Sequence, residues 1–374
     1  GAVNLMANLL SEGAGDMSAQ DFAAARDGLA ASIGFDAGDD SVSVSLRFLT
    51  ETTEAATDLA ATALSDPAFA PDALERVRAQ AVSSLRSRAT DPNNVASDAF
   101  AARVYGAGHL YATPGEGSVD SVAALTREDL IAAHRAAIAR DRVVVAAAGD
   151  IDAETLGAVI DKMMADLPDT GAPLPEEAEL TFGGGVEVVD LDTPQTVVTF
   201  GHAGIPRDHP DFFAAFVANQ LFGGGGLGSR LMEEVREKRG LTYGVYSYLL
   251  NKDHADLLLG RAATANERAG ETVQVVRDEW RRMAEAGPTA EELEAAKTYL
   301  IGGYPLRFDG NGSIARILTG MQLDGLSTDY VTTRNDKVAA VTLDDVRRVA
   351  GEVWDPETLT FVLVGRPEAL PAGN

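Results

Sequence analysis

The chain has 374 residues, 45% hydrophobic and 24% charged, and its 57 acidic against 31 basic residues leave a formal net charge of −26. That length exceeds one comfortable core and suits two domains. No apolar run reaches the roughly 18 residues of a membrane-crossing helix, and an acidic body argues against nucleic-acid or anionic-membrane partners while favouring basic or neutral ligands. With no cysteine, disulfides, thiolate metal sites and a Cys nucleophile are excluded.

In chain order, Gly1–Leu10 reads as an apolar helix without the basic start of a signal peptide. A helix at the first residue suggests that the native N-terminus, with any export signal, lies further upstream. From Ser41 to Leu49, Val42, Val44, Leu46 and Phe48 alternate with Ser43, Ser45 and Arg47, which predicts a strand with one buried face. Helices are expected around Glu51–Leu64, Asp72–Arg88, Val95–Val104 and Arg127–Ala139, then a β-branched strand over Arg142–Gly149. Leu167 to Gly185 carries Pro168, Pro173, Pro175, several acids and three successive glycines, which is linker chemistry. A strand follows at Gln195–Gly201, then a helix capped at Pro210-Asp211 and running through Leu221-Phe222. Next come four glycines at Gly223–Gly226, a charged helix ending near Arg239, and a strand at Gly244–Tyr248.

The chain also resembles itself. Val122–Leu130 reads Val-Ala-Ala-Leu-Thr-Arg-Glu-Asp-Leu, and Val338–Val346 reads Val-Ala-Ala-Val-Thr-Leu-Asp-Asp-Val. Each copy offers a Thr N-cap (Thr126, Thr342) with Asp three places on (Asp129, Asp345), a capping-box pattern. Each predicted helix precedes a β-branched strand ending in Gly, Arg142–Gly149 and Thr358–Gly365, and Pro71–Leu74 and Pro288–Leu293 both open earlier helices. The near-constant separation implies two tandem homologous α+β domains, each a mainly antiparallel sheet with helices packed on one face. The boundaries fall at residues 1–168, a linker 169–185, and 186–374.

The stretch Gln195–Tyr248 is the most specific. The run Gly223–Gly228 satisfies G-x-G-x-x-G, but a helix precedes it and Ser229-Arg230 follows, so neither a dinucleotide nor a phosphate loop fits. Gly224, Gly225 and Gly226 read instead as a wall where backbone approaches a peptide, or as a purely structural turn. The order Gly-Gly, Ser229-Arg230-Leu231, Val235-Arg236-Glu237-Lys238, Gly240-Leu241 and Tyr243 resembles the C-terminal half of insulinase/pitrilysin-family metallopeptidases. The resemblance covers essentially the whole chain and agrees with that family's paired α+β halves. It implies that Arg236 and Tyr243, seven residues apart, contact substrate backbone and the oxygen that gains charge. A guanidinium and a phenol are suited to that task. The alternative for Arg236 is a surface ion pair with Glu233, and for Tyr243 a core aromatic.

Active members of the resembled family bind zinc through His-x-x-Glu-His on an N-domain helix. The first helix matches the flanks of that motif, but Asn4 and Asn8 stand at the His positions and Ala7 at the Glu position. Ser83-Ser84-Leu85-Arg86, where a third ligand belongs, offers no carboxylate. No metal site and no cofactor are expected in this chain. Among the histidines, His202 and His209 read as surface, His134 as solvated beside Arg135, and His109 as a turn residue without a visible partner. No Gly-x-Ser-x-Gly elbow occurs. The resemblance, with the metal motif lost, therefore implies the non-zinc subunit of a heterodimeric endopeptidase, inactive alone, with zinc in a homologous His-x-x-Glu-His partner and a peptide as substrate. The alternatives are an inert structural or peptide-binding subunit, and an active homodimer with an unrecognised metal site. A bacterial periplasmic location would suit a cysteine-free exported pair.

Overall fold

The computed structural model describes residues 1–106 and 108–370. The elements begin with α1 (Ala2–Leu9), α2 (Ala19–Gly28), β1 (Ser32–Ala37), β2 (Val42–Arg47), α3 (Thr53–Ser65), α4 (Pro71–Arg88) and α5 (Pro92–Val104). Then come α6 (Val119–Ala124), α7 (Arg127–Ala137), α8 (Ala153–Met164), β3 (Val186–Asp190), β4 (Gln195–Ala203) and α9 (Phe212–Asn219). The chain continues with β5 (Thr242–Lys252), β6 (Ala255–Ala265), α10 (Ala269–Ala286), α11 (Ala290–Gly303) and α12 (Asn311–Leu323). It ends with α13 (Tyr330–Ala340), α14 (Leu343–Val353) and β7 (Thr360–Gly365). The result is an α+β fold with helices packed against sheets. Among the described residues no helix is long and apolar enough to cross a membrane.

Two compact units form: residues 1–88, 113–175 and 308–325, and residues 89–112, 176–307 and 326–374. The first unit thus contains α12 and the second contains α5. In the first, β1 and β2 make an antiparallel hairpin with Ser32 opposite Arg47 and Ala37 opposite Val42. Its core gathers Leu5, Met6 and Leu9 of α1 with Leu64, Leu74, Val77 and Leu130. At the start of α7, Thr126 accepts the Asp129 amide while the Asp129 side chain returns to the Thr126 amide. The Asp129 carboxyl is held below its usual range by the Thr126 backbone and side-chain hydrogen bonds. The expected strand over Arg142–Gly149 is not one: among the described residues it joins no ladder. β-branched composition favours extended backbone, but a strand exists only where a neighbour supplies hydrogen bonds.

The second unit carries a five-stranded sheet of order β3-β7-β4-β6-β5. Only β3 and β7 run parallel; the β7–β4, β4–β6 and β6–β5 pairs are antiparallel. One face, through Val198, Phe200, Val245, Leu258, Phe361 and Leu363, packs on α9, α10 and α14. There Phe222 and Trp280 meet edge to face at 5.0 Å between ring centres, a favourable aromatic geometry. The other face, through Val197, Leu257, Leu259, Val362 and Val364, packs on Phe100 and Val104 of α5. Helices therefore cover both faces, not the single face expected. The sign was available in β7, Thr-Phe-Val-Leu-Val-Gly, where apolar residues run on instead of alternating and every residue is buried. At α14, Thr342 and Asp345 form the reciprocal capping box that the sequence indicated.

Candidate functional site

The segment Ser229–Tyr248 lies in the second unit and runs from beyond α9 into the edge strand β5. Its first residues are structural. Ser229 Oγ donates to the Gly226 carbonyl at 2.8 Å. Arg230 is only 5% exposed; its guanidinium donates to Glu292 Oε2 at 2.8 Å, to Glu292 Oε1 at 3.1 Å through Nε, and to the Gly287 carbonyl at 3.2 Å. Burial pushes the Glu292 carboxyl up, but the Thr289 amide and Arg230 together hold it below its usual range. This bidentate pair ties the segment to the start of α11, the fork geometry arginine favours. Gly223 is equally structural, since a Cβ there would lie 2.2 Å from Ser247 Oγ. That approach leaves room for the buried Asn219–Ser247 hydrogen bond at 2.7 Å.

From Met232 to Glu237 the chain makes a wide helical turn, with the Lys238 amide reaching back five residues to the Glu233 carbonyl at 2.9 Å. Gly240 ends it in the left-handed region at φ +61. There its amide donates to the Arg236 carbonyl at 2.8 Å, a left-handed helix closure that suits glycine. The Arg236 side chain is 37% exposed, with Nε 3.5 Å from Glu237 Oε1. Its expected rival partner Glu233 instead pairs with Lys238 at 3.0 Å.

Tyr243 is 88% exposed and so is not a core aromatic. It protrudes because β5 slips register against β6 between Thr242 and Val245. Thr242 builds that bulge: its Oγ1 accepts the Gly244 amide at 3.1 Å and lies 2.6 Å from the Ala263 carbonyl. Bulges commonly re-aim a side chain in this way. Among the described residues no hydrogen bond joins Arg236 to Tyr243, and both reach solvent from the two ends of one turn.

Gly224 and Gly226 are exposed, Gly226 at φ +61, and the loop carries Leu227 outward. A Cβ on Gly225 would lie 2.8 Å from the Gln220 carbonyl, so the tight turn alone accounts for that glycine.

On α1, Asn8 Nδ2 donates to the Asn4 carbonyl at 2.9 Å and to Asn4 Oδ1 at 3.1 Å, while Ala7 is 2% exposed in the core. Two neutral amides engaged with each other and a buried methyl do not fit zinc, whose ligands are thiolates, imidazoles and carboxylates. On α4, Ser83 and Ser84 are exposed and add no such donor. Among the described residues no group of three or more His, Cys, Asp or Glu is placed to hold a metal ion.

Three histidine expectations need correction. His202 is buried, not on the surface: it accepts Trp280 Nε1–H at 2.8 Å, which leaves Nδ1 to donate to the Ala203 carbonyl at 2.7 Å. Burial pushes its pKa down. His134 is buried rather than solvated, donating to the Leu64 carbonyl at 2.6 Å. His109 does have partners, the Glu176 carbonyl at 3.1 Å and the Tyr111 amide at 3.2 Å. A cavity of about 370 Å³ is lined in part by His202, His209, Asp211, Glu352 and Asp355. Its polar groups are already engaged: Arg348 holds Asp211 and Glu352, and Asp355 accepts the Glu357 amide and Thr358 hydroxyl. Asp211 consequently stands at the start of α9 without capping it through its side chain.

Sequence reasoning missed Thr242 and Glu234. Glu234 is buried among Lys238, Arg239 and Arg282. An acid amid an otherwise solvated-looking charge run gave no periodic signal that it points inward.

The family described as "Peptidase M16 inactive domain" matches residues 124–300. A crystal structure of a peptidase M16 inactive domain from Pseudomonas fluorescens superposes with a TM-score of 0.91 at 30% identity, covering all 100% of this chain and 90% of that one. An uncharacterized zinc protease of Streptomyces coelicolor is 29% identical over 363 residues, 94% of this chain and 78% of that protein. A Helicobacter pylori protein named a non-peptidase homolog is 25% identical over 364 residues, 97% of this chain and 84% of the other.

Proposed function

Because the chain belongs to the M16 (pitrilysin) peptidase family and has that family's inactive-domain character, we propose that it is a catalytically inert, peptide-binding subunit. In this reading Arg236 and Tyr243 meet the backbone of an extended polypeptide. The observation that carries it is the pairing of a displayed site with a missing one. Tyr243 stands 88% exposed on a bulge that Thr242 builds, seven residues after a partly exposed Arg236, while α1 offers two amides and a buried methyl where a metal set would be. A guanidinium and a phenol bind peptide carbonyls; without an activated water they do not cleave the amide. The net charge of −26 favours basic peptides.

Titration of the purified chain with a labelled basic peptide tests this. Binding is expected, weakened by Arg236→Ala and by Tyr243→Phe, with no hydrolysis when zinc is added. Cleavage by the chain and zinc alone would overturn the inert reading; binding unaffected by both substitutions would overturn the assigned contacts.

One feature supports a second, finer reading. Among the described residues Arg236 has one acidic neighbour, Glu237 at 3.5 Å, and Tyr243 is 88% exposed, as expected of groups that complete a site in trans. The partner would be a homologous subunit carrying His-x-x-Glu-His and its zinc, and the pair would face the substrate carbonyl oxygen. Adding such a subunit should produce cleavage that Arg236→Ala depresses. We also read the chain as two tandem copies of one α+β fold. The reciprocal capping boxes at Thr126 and Thr342, each opening an 11-residue helix that follows another helix by a short link, support that reading.

A further inference from the structure

We propose that Glu234 is a positioning residue: its carboxylate clamps the end of the helical turn and so fixes where Arg236 and Tyr243 point. The inference rests on the peptide-binding reading of that pair and adds the group that orders it.

Glu234 is only 6% exposed. Its Oε1 accepts Lys238 Nζ at 2.7 Å and its Oε2 accepts Arg239 Nη1 at 2.8 Å. The same Arg239 Nη1 also donates to the Glu234 backbone carbonyl at 2.7 Å. Arg282 of α10 places Nη1 3.6 Å from Oε1, and Glu233 shares Lys238 at 3.0 Å. Burial pushes the Glu234 carboxyl up, yet the hydrogen bonds from Lys238 and Arg239 outweigh it and keep the group ionised below its usual range.

The consequence is geometric. Lys238 and Arg239 are the two residues between the turn and Gly240, so anchoring both holds the chain just before it reverses. Beyond the reversal, the buried Leu241 carbonyl accepts Thr264 Oγ1 at 2.6 Å, and Arg268 Nη2 reaches the Arg239 carbonyl at 3.3 Å. The backbone from Glu234 to Leu241 is thus fixed on both sides. Arg236 lies inside this clamped stretch and Tyr243 two residues past it. Removing a carboxylate from water is costly, and an apolar side chain would fill the space more cheaply. What the carboxylate adds is a defined geometry, and contacts to a peptide backbone depend on placement to within about 0.5 Å.

The test uses the full chain with selectively labelled Arg and Tyr. Side-chain NMR reports the order of Arg236 Nε–H and of the Tyr243 ring, and the same samples are titrated with a labelled basic peptide. Glu234→Gln should mobilise both side chains and weaken peptide binding about tenfold. Arg239→Gln, which removes the Oε2 contact and the bond to the Glu234 carbonyl but leaves Lys238 on Oε1, serves if Glu234→Gln does not fold, and should give a smaller change of the same kind. A loss of thermal stability with Arg236 and Tyr243 signals unchanged would overturn the proposal, leaving Glu234 a purely structural acid. The NMR arm is independent of the functional reading. If Arg236→Ala leaves peptide affinity intact, the binding reading fails while the ordering by Glu234 stands or falls on the spectra.

Discussion

The first helix and the segment Ser229–Tyr248 put their polar side chains to opposite use. On α1, Asn4 and Asn8 hydrogen-bond each other and Ala7 disappears into the core, so the helix is a packing element. In the second segment nearly every polar group is also engaged, Arg230 with Glu292, Glu234 with Lys238 and Arg239, Thr242 with the bulge. Yet that framework leaves the Arg236 guanidinium and the Tyr243 phenol, the more exposed of the two surface tyrosines there, open to solvent. The contrast teaches that a site is recognised less by which polar residues are present than by which are left over after the fold has satisfied its own.

The comparison breaks first if Arg230 is not structural. Arg230→Ala would strand the half-buried Glu292 carboxylate and the Gly287 carbonyl. Loss of one partner from such a pair typically costs about 3–5 kcal/mol, read as a lowered urea midpoint. A near-neutral result would mean that the Ser-Arg-Leu segment is held by something else. Restoring the metal motif on α1 is the complementary test. The triple change Asn4→His, Ala7→Glu, Asn8→His buries an unpaired carboxylate at a core position, for an expected loss of about 3 kcal/mol. Zinc should not recover it, because α4 supplies no third ligand; a zinc-dependent rise in melting temperature would make α1 a latent site.

A smaller effect separates buried from displayed groups by pH. His202 and His134 both have pKa values pushed down, chiefly by burial. Their unfolded value is about 6.5. The unfolded chain therefore binds protons first as pH falls below that value. Stability should be fully present above it and decline toward the lowered folded values, by up to about 1.4 kcal/mol per pH unit for each histidine. Melting curves between pH 7.5 and 5 check this, and His202→Gln should flatten the slope. Smaller again is Thr342→Ala at the α14 cap, about 1 kcal/mol, measurable by the same denaturation.

Much of the fold was legible because the signals were local. Capping boxes at Thr126 and Thr342 announce helix starts through one side chain and one amide, and both formed. The sheet order and the second covered face were not legible, since α5 meets strands as distant in sequence as β4, β6 and β7 and only the unbroken apolar run of β7 hinted at it. Arg142–Gly149 shows the limit from the other side: composition predicts an extended chain, whereas a strand needs a neighbour. At the site, the spacing of Arg236 and Tyr243 could be read, but not the bulge of Thr242 or the inward turn of Glu234. Both depend on contacts made after the chain has folded.

The smallest expected effect is the most informative about the displayed pair. Arg236 has a single acidic neighbour at 3.5 Å, half in solvent, and Tyr243 has almost no buried surface to lose. Exposed ion pairs of that kind contribute little, and surface changes away from caps and cores usually stay within about 0.5 kcal/mol. Arg236→Ala and Tyr243→Phe should therefore leave the unfolding midpoint essentially where it was. Arg236 lies six positions after Arg230, whose loss should be severe, so the two substitutions form an internal control on one short stretch of chain. If Arg236→Ala proved as damaging as Arg230→Ala, Arg236 would belong to the scaffold, and a stability-neutral residue retained for contact with a ligand would have to be sought elsewhere on the surface.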